Sequence, residues 1–154
     1  MTTTAWTGEA AERLIHYLDT HRIPSGLGTK ESACSLAAIN LALTGELTDE
    51  IPDCMSEVVG RWVIRVQDAM PDQIRNSPEW KAALVDAAGT GRGHEAERSA
   101  LILDWMWETP SDVSHVQSKH LREVRLAAAA WTAFDPAGLL ARLNLLSQDR
   151  EDQP

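Results

Sequence analysis

Cations are scarce in this sequence, with 14 Lys and Arg against 23 Asp and Glu, and the Lys and Arg present do not cluster. A nucleic-acid backbone or an anionic membrane is met by grouped cations, so direct binding to either is not expected. Cysteine is nearly absent. Cys34 and Cys54 stand apart with no C-x-x-C pair, which fits reduced structural thiols in a cytoplasmic protein. No run of 18 apolar residues exists to span a membrane, and the start, Met1 to Trp6, carries neither a basic segment nor an apolar secretion core. Phenylalanine and tyrosine occur once each, so six of the eight aromatic residues are tryptophan.

What is present is helical periodicity. The 154 residues suffice for one domain with a core of its own, without disulfides or metals. The spacing predicts a single all-α domain over residues 1–146, a bundle of about seven helices, followed by a charged flexible tail at 147–154. Thr7 caps a first helix from Gly8 to about Thr20, striped by Ala11, Leu14, Ile15 and Leu18. Thr29 is expected to cap a second from Lys30 to Thr44, ended by Gly45, and Asp53 a third that carries Val59, Trp62, Val63 and Val66. Ser77-Pro78 and Asp135-Pro136 each place a capping side chain before a proline at the first helical position. A long helix striped by Val113, Val116, His120, Val124 and Trp131 precedes the last, which is striped by Leu139, Leu140, Leu143 and Leu146. The flat run Ala127 to Ala130 offers a face on which a homodimer could form.

The segment from about 93 to 108 predicts a Trp-rich helix at the centre of the bundle. At about 100° per residue Gly93, Glu97 and Glu108 each fall within about 40° of Asp104, a narrow polar strip. Glu95 falls on the opposite, apolar side with Ile102 and Met106. A carboxylate there must meet a cation or be neutralised, and Arg61 or Arg65 of the third helix is the expected partner. Trp105 and Trp107 point about 160° apart, so they cannot serve the same neighbour.

Chemistry is hard to find. Gly89-Thr-Gly-Arg-Gly93 is not preceded by a strand and lacks the G-K-[ST] ending, so a phosphate loop is not supported. His94-Glu95 begins like a zinc-protease helix, but Arg98 stands where the second histidine must be, and the other histidines do not share a helix face. No catalytic set, metal site or cofactor is expected, and an unassigned hydrolase is a distant alternative. A small-ligand or nucleotide site using Arg92, His94, Glu95 and Arg98 is the main alternative to a pure interaction protein.

The sharpest charge feature is Glu46, Asp49, Glu50, Asp53 and Glu57, within twelve residues that contain no Lys or Arg. With Trp6, which precedes the first cap, these residues are the expected contact surface for a protein partner with a basic face.

The segments Glu31 to Gly45, Ile51 to Ser56, Asn76 to Trp80 and Gly89 to Arg92 resemble a family of small bacterial and mobile-element proteins of unassigned function, over about residues 30–108. Leu126 to Trp131 is similar in style to the Ala- and Trp-rich extension of some members. The resemblance implies an α-helical module and a phage or plasmid context, and supplies no catalytic residues. Acidity and that context together lead to the expectation of a non-enzymatic inhibitor of nucleic-acid-binding defence machinery, anti-CRISPR-like in kind.

Overall fold

A computed structural model describes residues 5–108, 131 and 135–151, and for 106–108 and 147–151 the backbone alone. The described residues form seven helices and no strand: α1 (Gly8–Thr20), α2 (Ser35–Thr44), α3 (Glu57–Ala69), α4 (Asp72–Arg75), α5 (Pro78–Ala87), α6 (Glu95–Glu108) and α7 (Pro136–Glu151). The helical bundle expected from the periodicity is therefore present. The long helix expected around 113–131, its histidines and the Ala127–Ala130 face fall mostly outside the described residues; Trp131, from its stripe, is buried.

Local signals set several of the ends. Thr7 Oγ1 accepts the Ala10 amide at 3.1 Å, and Ser77 Oγ accepts the Trp80 amide at 3.2 Å ahead of Pro78. Gly45 adopts φ +82° and its amide closes α2 on the Leu41 carbonyl at 3.0 Å, a conformation that glycine reaches without strain. Asp135 Oδ1 accepts the Gly138 amide at 3.0 Å at the start of α7, which runs through Glu151 and so includes part of the expected tail.

Two expected starts move. Lys30 does not begin α2, because the chain is still turning there. Gly28, at φ +77°, bridges to Ala33, and Thr29 and Ser32 exchange backbone bonds at 3.0 and 3.2 Å. Cys34 is the residue before the helix. Asp53 does not cap α3, since the Met55 amide turns back onto the Pro52 carbonyl and Ser56 Oγ receives the Val59 amide at 3.1 Å. A cap residue works only where the backbone enters the helix, and long-range contacts decide that position.

The most enclosed helix is α2 rather than α6. Every residue from Ser35 to Asn40 is buried, and so is Ala42, whereas Leu103 of α6 is exposed. Small side chains let α1, α3 and α5 approach α2 closely. Trp80 of α5 is fully buried, donates its indole N–H to Ser35 Oγ at 3.3 Å, and lies 6.0 Å from the Trp62 ring. Trp105 meets Trp62 edge-on at 5.8 Å, which is how α6 joins α3. The α5–α7 pair closes the core with Leu139, Leu140 and Leu143, and the Asn144 side chain donates to the Ala83 carbonyl at 3.0 Å.

Candidate functional site

The acidic loop after α2 is held from beneath. Asn40 is only 5% exposed and its Nδ2 donates to the carbonyls of Thr48 and Glu50, both at 2.8 Å. Burying an amide is unfavourable unless its bonds are made, so this side chain fixes the loop's path. Ile51 fixes the other end. It packs onto Gly60 of α3 so closely that a Cβ there would lie 2.7 Å from Ile51 Cγ1. Above these anchors Glu46, Asp49, Glu50 and Asp53 are exposed, and all but Asp49 line a shallow groove of about 270 Å³.

The acids differ in how far they are neutralised. Glu57 pairs with Arg61 at 2.6 Å on the surface, where such pairs contribute little, and Asp53 lies 3.9 Å from Arg92. Among the described residues no cation comes within 4.0 Å of Glu46, Asp49 or Glu50. Trp6, the sixth member of the expected surface, is half-buried and lies against Gly89, whose missing side chain leaves room for the indole.

The Gly89–Arg98 segment has the opposite character. Arg98 is completely buried and donates to the Thr90 and Gly91 carbonyls, each at 3.1 Å, and to Glu95 Oε1 at 2.8 Å. Glu95 in turn accepts the Ser56 hydroxyl at 2.5 Å and the Val58 amide at 3.2 Å, so it helps to cap α3 from a neighbouring helix. Burial alone would raise its pKa. The Ser56 hydroxyl, the Val58 amide and the Arg98 guanidinium outweigh burial and hold the carboxyl below its ordinary value. The expected partners were Arg61 and Arg65; the observed one is Arg98, one turn along the same helix, while both α3 arginines are exposed.

Further bonds lace this segment to the turn before α3. The Gly91 amide donates to the Cys54 carbonyl at 2.8 Å, the Ser56 amide to Thr90 Oγ1 at 2.8 Å, and Arg92 Nε to the Met55 carbonyl at 3.3 Å. His94 lies 3.9 Å from Glu97 with its Nε2 buried. Of the four residues read as a ligand set, Glu95 and Arg98 are thus engaged with each other and with backbone, and Arg92 alone presents an exposed cation. No group of three His, Cys, Asp or Glu side chains suited to a metal occurs among the described residues.

Asn40, Gly60, Ser56 and Thr90 were not singled out by periodicity. A signal existed for two of them: Asn40 interrupts an apolar helix, and Gly60 is a glycine inside a helix, near its start, where its cost implies a packing reason. Comparison with family models, curated proteins and solved structures found no match, and so adds nothing to the resemblance seen over residues 30–108.

Proposed function

We propose that this chain is a non-enzymatic interaction protein whose Glu46–Asp53 loop engages a basic surface on a protein partner. The observation that carries the reading is the contrast between the loop's interior and its exterior. A buried asparagine and a glycine contact hold the backbone, while Glu46, Asp49 and Glu50 are exposed with no cation within 4.0 Å among the described residues. Holding the loop before binding lowers the ordering cost of association, and unpaired acids add attraction that steers a cationic partner. In its sharpest form the loop competes with nucleic acid for a cationic groove, as an inhibitor of defence machinery would. Binding through Arg92, His94, Glu95 and Arg98 is the weaker reading, because two of those groups already complete the joint between α3 and α6.

The test compares the protein with its E46K/D49K/E50K variant as affinity baits in lysate of the source cells, at low and high salt. The reading expects a nucleic-acid-binding protein that is retained by the native bait, released by salt or by added duplex, and lost by the variant. An identical set of retained proteins on both baits would count against it.

A further inference from the structure

Helices α1 and α5 form a second surface, lined by none of the residues of the acidic loop. Helices α1 and α5 run antiparallel: Lys81 near the start of α5 donates to the Leu18 carbonyl near the end of α1 at 2.7 Å, while Trp6, just ahead of α1, lies against Gly89 beyond the end of α5. Between them runs an open groove of about 560 Å³. Leu18 forms its buried floor, and Ile15, Pro78, Ala82 and Val85 form its walls. Ile15 is 46% exposed, one of four large apolar side chains left to water among the described residues.

The rim determines what fits. Asp19 and Asp86 are exposed on the two sides, and no cation lies within 4.0 Å of either among the described residues. Lys81 does not offset them freely, since its ammonium is committed to the end of α1, at the Leu18 and His21 carbonyls. An apolar floor with a net acidic rim complements a helix that carries leucine or isoleucine on one face and lysine or arginine beside it. A second copy of this chain is a poor occupant, because each copy carries a net charge of −9 and brings the same acidic rim. The lined stretch of α5, from Pro78 to Asp86, rises about 12 Å, a little over two turns of a docked helix.

We infer that the α1–α5 groove docks a basic amphipathic helix of a partner protein, at a site separate from the acidic loop. The probe is a fluorescein-labelled 18-residue Leu/Lys peptide with its leucines in one helical stripe. Its controls are a scramble of the same composition and a Leu/Glu counterpart. Anisotropy with the full chain is expected to show the striped Leu/Lys peptide binding at least tenfold more tightly than either control. Ile15→Asp and Ala82→Asp, two surface changes checked for native helicity by circular dichroism, should each weaken it at least tenfold. In 0.15 M salt, E46K/D49K/E50K should weaken it less than either groove variant does, which separates this groove from the acidic loop. Equal binding of the scramble, or indifference to both groove variants, would overturn the inference. So would sedimentation showing a dimer that Ile15→Asp dissolves, since the groove would then serve a second copy.

Discussion

Two short segments of this protein carry charge in opposite ways. At 46–53 the backbone is fastened inward by Asn40 and Ile51, and the carboxylates are left outside. At 89–98 two of the charged groups, Glu95 and Arg98, turn inward and bond the backbone of two neighbouring stretches, at Val58 and at Thr90-Gly91. The first arrangement spends a buried amide on shape and leaves charge unused; the second uses charge to hold shape. Acidity or basicity in a sequence therefore marks a surface only when something else does the holding.

The comparison is sharpest at Arg98. Arg98→Met removes one donor each from the Glu95 carboxylate and the Thr90 and Gly91 carbonyls, and a loss of about 3 kcal/mol is expected from breaking one side of a buried pair. For a domain of this size that corresponds to a fall of about 6–12 °C in Tm, read by calorimetry. Asn40→Ala comes next, at about 1–3 kcal/mol, because two backbone carbonyls lose a buried donor. Hydrogen exchange should locate the damage, with faster exchange in 46–53 and little change in α5. Uniform loss of protection would instead make Asn40 a general core residue.

Gly60→Ala should cost about 1–3 kcal/mol through overlap with Ile51, and Ile51→Ala in the same chain should recover part of it. A double-mutant cycle with no coupling would show that Ile51 does not anchor the loop.

Acid should affect the two segments differently. The Glu95 carboxyl is held below its ordinary value, so its contribution is fully present above about pH 5 and is lost as pH falls through the depressed folded value. The stability difference between the native chain and Glu95→Gln should therefore be flat from pH 7 to 5 and shrink below pH 4.5. A difference that grows on acidification would show the carboxyl to be held above its ordinary value. The smallest effect belongs to Glu57→Gln. It breaks an exposed pair with Arg61 and should move stability by less than about 0.5 kcal/mol in urea titration.

Much of this was legible in sequence where the signal is local. Thr7, Gly45, Ser77-Pro78 and the Leu139–Leu143 stripe act within a turn or two of themselves, and they stand where their chemistry predicts. The angle count turned Glu95 away from the polar strip. Its partner was not legible: the count favoured an arginine on another helix, whereas the carboxylate reaches α3's first amides and is completed by its own neighbour Arg98. Thr29 and Asp53 have the right side chains for caps, but the backbone enters each helix later, after turns at 29–32 and 52–55. The enclosure of α2 by its neighbours was missed because a helix of alanine and serine gives a weak stripe, although small residues are what a central position requires. The acidic cluster was plain in composition, while the asparagine that presents it was hidden inside that same helix.

Paired thermal melts of E46K/D49K/E50K and Arg98→Met against the native chain test the contrast most directly. If the loop's charges serve only the outside, the triple reversal melts within about 2 °C of the native protein, while Arg98→Met falls by at least about 6 °C. A triple reversal that melts as low as Arg98→Met would show that the acids at 46–50 hold the fold together, and would contradict the account.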